Sequence, residues 1–504
     1  MTNLTAQLNQ QLEQKAEDVI LVSLADQTSY TGTQVAAMVA DFKQHLRAQQ
    51  LGHGDVILIA LTNTVIYPIL EQAIWEIGAI AHPIAPTSGL SEIKTEFAEY
   101  GYAAGVFDDT FVSGLAADEQ FVTQSFMAGQ KNVNFFMYQP VTPQNQDATA
   151  LTDDDLAVIL NTSGSTGKPK RVGLTHQQIL NSARHIGESQ QLTDADTTMV
   201  VMPMFHVNAQ VISMLGTRVA GGKLVVAEKF SASRFWDAIA DHGVTWASLV
   251  PTIIQMLQMN EKAKARFAER QADVHMKYVR SASFSLPAEQ LTAFQALYGI
   301  QIMEGYGMTE SASLITLNPF DAPKVGYVGK PVATDIALLV DGELTTAADV
   351  DGEILLRGDH VITDYVDSNP GSFHEGWLRT GDLGRFDADG YLKIVGRIKE
   401  IISRGGEKVA PAAIENVLRQ LPFIQDVVVV GLPDPLYGEA VTAAVIVDAQ
   451  ATLSEEAMIA AINDHAATEL SRPARPTQIY FVSDYPRNPT GKVMRHKVAE
   501  QLGK

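Results

Sequence analysis

Short apolar runs alternate with stretches of helical periodicity through the first part of the chain. Asp55–Leu61, Ala81–Ile84 and Gly105–Phe107 are apolar runs, whereas Thr33–Gln49 and Ile66–Ile77 have helix-like spacing. Parallel strands that are buried on both faces have such apolar sequences, and helices connect them. This region is therefore predicted to be α/β, with sheets built from βαβ units.

The same alternation returns after residue 195, and the pattern changes further along. Ser231–Ala240 is a predicted helix, and the strands predicted around it are Thr198–Met202, Lys223–Ala227 and Val244–Leu249. Residues 324–395 contain short β-like runs separated by Gly and Asp turns, which favours a β-rich subdomain.

A smaller unit is predicted to begin near Gly396. Pro411 is typical of the first position of a helix, followed here by Ala412–Leu421. The other predicted elements are strands Val427–Gly431 and Ala440–Val447 and the helix Ser454–Leu470. The polar segment Tyr485–Arg495, with its Pro and Gly residues, is predicted to be an exposed loop. We therefore expect an N-terminal domain, 1–396, and a small α+β domain, 397–504.

Composition narrows the classes of function. The 504-residue chain has a net charge of -21, which disfavours nucleic acid and anionic lipid as partners, and it has no cysteine for disulfides or thiolate chemistry. Its first residues lack the pattern of a signal peptide. The most apolar region, Val56–Ile84, contains polar and charged residues that argue against a transmembrane helix. A cytoplasmic location is predicted.

Thr162–Lys170 has the composition of a phosphate-binding loop. Glycines allow the backbone to approach phosphate oxygens, hydroxyls donate hydrogen bonds, and lysines neutralise charge. The segment differs from a Walker loop, because only two residues separate Gly164 from Gly167 and Pro169 follows Lys168. A solvated hairpin loop is the structural alternative.

Two further segments offer groups that suit a nucleotide. Tyr306–Glu310, preceded by Glu304, supplies an aromatic ring, a hydroxyl and a carboxylate that could ligate Mg²⁺. Thr380-Gly-Asp382 supplies a carboxylate that could accept hydrogen bonds from ribose hydroxyls. Ordinary turns are the alternative for both.

Three charged or glycine-containing segments occur towards the C-terminus. They are Gly396–Glu400, Ser403–Lys408 and Pro489–Lys492. Each could be a solvated linker or surface turn, and a lone lysine on such a loop is seldom catalytic.

Taken in order, these segments resemble the motifs of the acyl-CoA synthetase family, which shares its architecture with firefly luciferase and peptide-synthetase adenylation domains. The resemblance covers nearly the whole chain. The matching motifs are the phosphate loop Thr162–Lys170, the aromatic motif Tyr306–Glu310, the ribose aspartate Asp382, the hinge motif Arg397–Glu400 and the catalytic-lysine motif Pro489–Lys492. Each motif is modest, but the ordered set is highly specific.

The resemblance implies an enzyme, an AMP-forming carboxylic acid–CoA ligase. It would use ATP to form an acyl-adenylate and pyrophosphate, then transfer the acyl group to CoA and release AMP, with Mg²⁺ as cofactor. Two alternatives remain open: an enzyme that loads a separate carrier protein, and a non-catalytic nucleotide sensor. The presence of Lys492, Glu310 and Arg397 argues against the sensor.

The resemblance also implies roles for individual residues. Tyr306 would stack on adenine, Asp382 and Arg397 would bind ribose, and Glu310 would be the metal ligand. The residues implied for catalysis are Lys492, His206, Thr309 and Glu310. Those implied for ATP or AMP binding are Thr162, Ser163, Gly164, Ser165, Thr166, Gly167, Lys168, Lys170, Ser283, Glu304, Gly305, Tyr306, Gly307, Thr309, Asp382, Arg397 and Lys492.

A third set is implied for the acyl and CoA tunnel. It comprises His206, Val207, Asn208, Phe284, Gly405 and Gly406. His206 would lie near the reacting carboxylate, although a buried core histidine is the alternative. In relatives the small domain rotates between the two half-reactions, exchanging the catalytic lysine for the glycine pair, and Lys399 occupies the hinge position.

The acid itself stays open. Met204–Asn208, Arg280–Leu286 and Ser403–Lys408 are similar to segments of oxalate–CoA ligases and fatty-acid–CoA ligases. Asn208 departs from that pattern, and Phe284 adds bulk that predicts a modest acyl pocket. Oxalate, aliphatic acids of any length and aryl acids all remain candidates, and the protein could be a monomer or a homodimer.

Overall fold

The structure is a computed structural model of the 504-residue chain. The residues that it describes are 1–128, 131–144, 151–162, 170–281, 283, 286–488 and 492–503. Three groups of predicted site residues lie wholly or partly outside this set: Ser163–Lys168 of the phosphate loop, Phe284, and the first three residues of Pro489–Lys492.

The chain divides into two units. The first comprises residues 1–335 and 357–378, and the second comprises 336–356 and 379–504. The predicted boundary at residues 396–397 falls inside the second unit, because short strands that precede it group with the C-terminal part. That residues 397–504 form a mobile domain of their own stays a prediction.

One sheet of the first unit contains seven strands among the described residues. Their spatial order is Phe121–Ala128, Lys131–Tyr138, Ala104–Phe107, Val56–Ala60, Ile80–Pro83, Leu156–Thr162 and Lys170–Thr175. The middle strands pair in parallel, and both edges end in antiparallel hairpins. Val56–Ala60 is almost entirely buried, as its apolar sequence predicts.

The other sheet of this unit has nine strands in the part of the chain that is described. Their order is Lys330–Pro331, Thr316–Leu317, Gln301–Tyr306, Tyr278–Ser281, Trp246–Leu249, Thr197–Val200, Lys223–Val226, Val19–Ser23 and Thr28–Thr31. The run from Gln301–Tyr306 to Val19–Ser23 is parallel. The α/β class predicted from the sequence is confirmed.

The α-helices of the first unit connect these strands. They are Asn3–Gln14, Gly32–Ala48, Ile66–Glu76, Leu90–Tyr100, Asp109–Ala116, His176–Ser189, Gly216–Val219, Ala232–His242, Pro251–Met259, Glu261–Arg270 and Ala288–Tyr298. Capping boxes at Thr31 and Thr175 begin two of them. Ser231 is the N-cap residue of Ala232–His242, but its side chain makes no capping hydrogen bond.

The first sheet of the second unit consists mainly of short strands. Three of them extend by one or two residues across the boundaries with the first unit. Their order is Glu343–Thr345, Asp335–Val340, Gly352–Arg357, Trp377–Phe386 and Leu392–Arg397. Within the first unit, Phe373–His374 pairs with the start of Trp377–Phe386. The β-rich subdomain predicted for residues 324–395 thus contains these strands.

The C-terminal part contains a second sheet. Its strands are Glu407–Val409, Ile402–Arg404, Gly438–Val447 and Ile424–Asp434 in spatial order, with Gln478–Phe481 also paired to Gly438–Val447. The helices are Pro411–Leu418, Glu455–Glu469 and Arg495–Leu502. Alternate residues of Ile424–Asp434 enter two different cores, so the sheet is covered on both faces.

The prediction of an exposed loop at Tyr485–Arg495 is wrong at both ends. Tyr485 is buried, packs in the same core as Val498 and donates its hydroxyl hydrogen to Ala444 O at 2.9 Å. Arg495 begins a helix. The polar, proline-rich composition of this segment gave no indication that Tyr485 is buried. No helix among the described residues is long and apolar enough to span a membrane.

Candidate active site

Thr162 and Lys170 close the hairpin whose loop carries the predicted phosphate-binding residues. They are paired in register across the antiparallel strands, and Thr162 Oγ1 donates to Lys170 O at 3.3 Å. The loop is therefore anchored at both of its described ends.

Tyr365 brings Lys170 and Glu310 to one place in the first unit. Lys170 Nζ lies 4.7 Å from the centre of the Tyr365 ring and donates to Ser372 Oγ at 2.8 Å. Tyr365 donates its hydroxyl hydrogen to Glu310 Oε1 at 2.8 Å. Burial and the neighbouring Glu310 charge both raise the pKa of Tyr365, which keeps this donor protonated. Neither Tyr365 nor Ser372 was identified from the sequence.

The backbone around Gly307 positions the side chains of Thr309 and Glu310. A Cβ atom at Gly307 would collide with Ser313 O, so only glycine fits there. Thr309–Ser311 forms a 3₁₀ turn, and Ser311 Oγ accepts a hydrogen bond from Met308 N at 3.3 Å. This compact turn presents a hydroxyl and a carboxylate from successive residues.

Glu304 and Ser283 lie on the segments next to that turn. Burial raises the pKa of Glu304 to about 7, an effect reduced by hydrogen bonds from the backbone of Leu286 and Gly326. Its Oε2 atom is buried without a hydrogen-bond partner among the described residues. Ser283 has a φ of 76°, in the left-handed region that glycine favours.

His206 is held near the start of a π-helical segment, Asn208–Leu215. His206 N donates to Pro203 O at 3.1 Å, and its ring lies 4.3 Å from that of Phe205. Burial lowers the pKa of His206 to about 4, so the ring is neutral at pH 7. Its Nε2 atom is buried without a partner in the described part of the chain. Asn208 accepts from Ser248 Oγ at 2.9 Å, and Val207 is buried.

Asp382 and Arg397 form an ion pair in the second unit. The two residues are cross-strand partners, and Arg397 Nε lies 2.7 Å from Asp382 Oδ1. A single pair could therefore present a carboxylate and a guanidinium to one ligand.

Lys492 lies in the electrostatic field of this pair. Its pKa is lowered to about 8, first by burial and then by the charge of Arg397, while Glu400 and Asp382 oppose the decrease. Asn488 fixes its backbone, because Lys492 N donates to Asn488 Oδ1 and Asn488 N donates to Lys492 O, both at 2.8 Å. The structure thus brings together residues that are more than a hundred positions apart.

The 3₁₀ turn Ile398–Glu400 contains the predicted hinge residue Lys399 and is bonded to the C-terminal helix. Glu400 pairs with Arg495 Nε at 3.1 Å, and Arg495 Nη2 also donates to Glu415 Oε2 at 2.9 Å. Lys399 itself is exposed. Arg495 was not identified from the sequence, because its partners lie far away in the chain.

Gly405 and Gly406 form the turn between strands Ile402–Arg404 and Glu407–Val409. Their φ angles are 59° and 87°, a conformation that other residues rarely adopt. Gly405 N donates to Tyr437 O at 2.7 Å. A Cβ atom at Gly406 would meet nothing within 4 Å, which leaves space for another molecule.

Within the described residues of the first unit, we identify two places where side chains could hold a metal ion. One is the Glu310 carboxylate, whose hard oxygen atoms suit Mg²⁺. The other comprises His185, Asp359 and His360, whose ligand atoms lie within 4.8 Å of one another. In that cluster Asp359 Oδ1 lies 3.0 Å from His185 Nε2 and 3.2 Å from His360 Nδ1. No sequence pattern had indicated this cluster.

Comparison with known proteins identifies both parts of the chain. Residues 8–366 match the family described as AMP-binding enzyme, and residues 413–492 match the AMP-binding enzyme C-terminal domain. The sulfoacetate–CoA ligase of Cupriavidus necator is 38% identical over 71% of this chain and 68% of its own length. The oxalate–CoA ligase of Arabidopsis thaliana is 35% identical over 69% and 68%, respectively.

A solved structure supports the same relationship. ATP-bound MatB from Rhodopseudomonas palustris has a TM-score of 0.85 and is 25% identical, with 99% of each chain covered. The resemblance found from ordered motifs is thereby confirmed.

Proposed function

The chain belongs to the AMP-binding enzyme family, and we propose which of its residues carry the reaction of an ATP-dependent acid–CoA ligase. In that reaction the carboxylate attacks the α-phosphorus of ATP, giving an acyl-adenylate and pyrophosphate. The CoA thiol then attacks the acyl carbon and AMP leaves. The CoA ligases among the relatives favour CoA as acceptor over a carrier protein.

The observation that carries the residue assignment is the environment of Lys492. Adenylation joins an anion to a polyanion, so its main requirements are positioning and charge neutralisation. With a pKa of about 8, Lys492 is mostly protonated at pH 7 and can lie between the acid carboxylate and the α-phosphate. Asp382 and Arg397, which are paired beside it, are assigned to the ribose.

The groups around Tyr365 are assigned to the ATP phosphates and their metal ion. Lys170 and Thr162 would act with loop residues 163–168, and Thr309 would donate to the α-phosphate. Glu310 would hold Mg²⁺: its carboxylate already accepts one directed hydrogen bond and has hard oxygen donors, which fits that ion. When bound, Mg²⁺ would neutralise phosphate charge.

The remaining ATP contacts are assigned to the segments beside that cluster. Tyr306 would stack on adenine, with Ser283, Glu304 and the glycines Gly305 and Gly307 along the base and ribose. This assignment is supported by the left-handed backbone at Ser283 and by the steric requirement for glycine at position 307.

His206, Val207 and Asn208 are assigned to the junction of the acyl and CoA tunnels. A neutral His206 can donate or accept a hydrogen bond near the acid carboxylate without adding charge. Its buried Nε2 atom has no protein partner in the described ranges, which leaves that nitrogen for a substrate.

The second half-reaction is assigned to another face of the C-terminal part. Gly405 and Gly406 would replace Lys492 at the substrates after residues 397–504 rotate about Lys399. The open space beside Gly406 and the exposure of Lys399 support this proposal. The cytoplasmic location and the oligomeric state remain predictions.

The test of function is a pyrophosphate-release screen. Purified protein is mixed with ATP, Mg²⁺ and a panel of acids, with and without CoA, and AMP and thioester are quantified. Pyrophosphate and a CoA thioester are expected from at least one acid. Pyrophosphate release without a CoA thioester from any acid would contradict CoA as acceptor, and no pyrophosphate from any acid would contradict the ligase assignment.

A further inference from the structure

Arg280 is a buried cation in the first unit, and no counter-ion pairs with it among the residues that the structure describes. Its side chain has no exposed surface, and none of its three guanidinium nitrogens has a hydrogen-bond partner among the described residues. Burial lowers its pKa to about 10, which leaves the group charged at neutral pH. A buried charge without partners is strongly destabilising, so the arrangement favours an anionic ligand beside this guanidinium.

Arg218 shows how the same protein satisfies a comparable arginine. Burial also lowers the pKa of Arg218 to about 10, but Glu71 and Glu76 counter that decrease. Its Nη2 atom donates to Gln72 Oε1 at 2.6 Å, and Nη1 donates to Pro68 O at 3.4 Å. Arg218 is therefore a structural arginine, whereas no such acceptor contacts Arg280 in the described part of the chain.

The sheet places Arg280 beside segments that are assigned to the substrates. Arg280 pairs in parallel register with Ser248 on one side and Met303 on the other. Register partners point to the same face of a sheet, and Ser248 Oγ donates to Asn208, two residues after His206.

Gly305 borders the guanidinium on the neighbouring strand. A Cβ atom at Gly305 would lie 3.0 Å from Arg280 Nη2 and 2.9 Å from Thr316 O. A side chain there would crowd both the guanidinium and the Thr316 carbonyl, so glycine permits this close approach of the neighbouring strand to Arg280. Arg280 thus lies between the His206 segment and the strand that leads into Tyr306.

We propose that Arg280 binds a second anionic group of the acid, so that the substrate is a carboxylic acid bearing another carboxylate or a sulfonate. This inference rests on the ligase function proposed above. A guanidinium can donate two parallel hydrogen bonds to either anion. A chain with a net charge of -21 needs such a local cation to hold a dianionic acid.

The names of two relatives agree with this chemistry. Sulfoacetate has a sulfonate beside its carboxylate, and oxalate has two carboxylates. The reacting carboxylate would face His206, and the other anion would face Arg280.

The experiment compares dianionic acids with neutral-tail isosteres. Pyrophosphate release is measured for sulfoacetate against methylsulfonylacetate, malonate against monomethyl malonate, and oxalate against monomethyl oxalate. Wild-type kcat/KM should favour at least one dianionic acid by roughly a hundredfold over its isostere. Arg280→Met should reduce this preference to near unity by lowering kcat/KM for the dianionic acid and not for its isostere. Arg280→Lys should retain part of the preference.

Arg218→Met is the matched control, because it also removes a buried guanidinium. It should lower the thermal midpoint of unfolding. The ratio of kcat/KM for the dianionic acid to kcat/KM for its isostere should stay at the wild-type value. Circular dichroism checks the fold of each variant. If Arg280→Met does not fold, the wild-type ratio and Arg280→Lys decide the question.

The outcomes separate this inference from the proposed function. Wild-type protein that prefers the neutral isosteres, or Arg280 variants that keep the full wild-type ratio, would overturn the role of Arg280. Pyrophosphate release only with acids that have a single anionic group, such as acetate, hexanoate or benzoate, would also overturn the role of Arg280. The ligase function would remain supported in that case. Absence of pyrophosphate with every acid would instead contradict the ligase function.

Discussion

Lys170 in the first unit and Lys492 in the second are both assigned to the anionic substrates, but their surroundings differ. Lys170 is fixed by direct contacts, a hydrogen bond to Ser372 and a position over the Tyr365 ring. Lys492 is surrounded by charges of both signs, and burial together with Arg397 lowers its pKa to about 8.

The difference indicates that the two lysines would contribute to ATP binding in different ways, one through fixed contacts and the other through a charge environment that the substrates complete. Around Tyr365, groups are held in place before the nucleotide arrives, as electrostatic preorganisation requires. Around Lys492, part of the ammonium's stabilisation is missing until substrate anions supply it. Lys492 should therefore be sensitive to the reaction step and to pH, whereas the Tyr365 cluster should be sensitive to the metal ion.

The largest expected effect comes from Lys492→Ala. Loss of the ammonium should slow acyl-adenylate formation by about a thousandfold or more, since removal of one oxyanion contact alone costs about a hundred- to a thousandfold. Conversion of a supplied acyl-adenylate and CoA to thioester should change by less than about tenfold. Single-turnover kinetics of each half-reaction measures both effects.

Lys497→Ala is the control for this variant, because it removes an exposed lysine from the adjacent helix. It should leave both half-reactions unchanged. A bulky residue at Gly406 should show the reverse pattern, with thioester formation lost first. Equal loss of both half-reactions in folded Lys492→Ala protein would rule out the proposed replacement of Lys492 by the glycine pair between the two steps.

Glu310→Gln should have the next largest effect. The amide keeps the shape of the side chain and can still accept from Tyr365, but it removes the negative charge proposed to hold Mg²⁺. Adenylation should fall by about a hundredfold and should require more Mg²⁺ for half-maximal rate. The measurement is pyrophosphate release across a Mg²⁺ titration, and a variant with the wild-type titration curve would exclude Glu310 as the ligand.

The pH dependence of adenylation should report the environment of Lys492. The proposed role of Lys492 requires its protonated form, so adenylation should fall above pH 8 and be about tenfold lower one unit above the pKa than on the plateau. Measurement without CoA keeps the thiol from contributing. Glu304, with a pKa of about 7, titrates at lower pH. Lys492→Arg should remove the decrease, and persistence of the decrease in that variant would assign it to another group.

The fold was largely predictable from local sequence pattern, whereas several residues that position the candidate site were not. Val56–Ala60 and Ile66–Glu76 follow directly from apolar runs and helical spacing. Asp382 and Arg397, identified by motif, turn out to be cross-strand partners. These features depend on neighbours in sequence or on the short spacing between the two strands of a pair.

Tyr365, Ser372, Arg495 and Arg280 could not be found in the same way. Each acquires its importance from contacts with residues far away in the chain, or in the case of Arg280 from the absence of such contacts among the described residues. A tyrosine in a polar segment carries no local sign of burial, which is why Tyr485 was placed in an exposed loop. Long-range packing decides these cases.

Tyr365→Phe should have the smallest effect on the rate of adenylation. It also allows the most direct comparison between the two regions, because the second unit offers a matched variant. It removes one hydrogen bond to Glu310 while keeping the ring beside Lys170. A hydrogen bond to a charged group contributes about 1.5–3 kcal/mol at most, and water can replace part of it, so adenylation should fall by about three- to tenfold.

The matched control is Tyr485→Phe, which deletes a buried hydroxyl that donates to Ala444 O in the second unit. Both variants should lose about 1 kcal/mol of unfolding free energy in urea. Only Tyr365→Phe should raise the Mg²⁺ concentration for half-maximal adenylation, because only its hydroxyl orients the proposed metal ligand. If the two variants have the same Mg²⁺ curve, Tyr365 stabilises the fold without positioning Glu310, and the contrast between a preorganised metal region and a charge-sensitive lysine region would lose its main support.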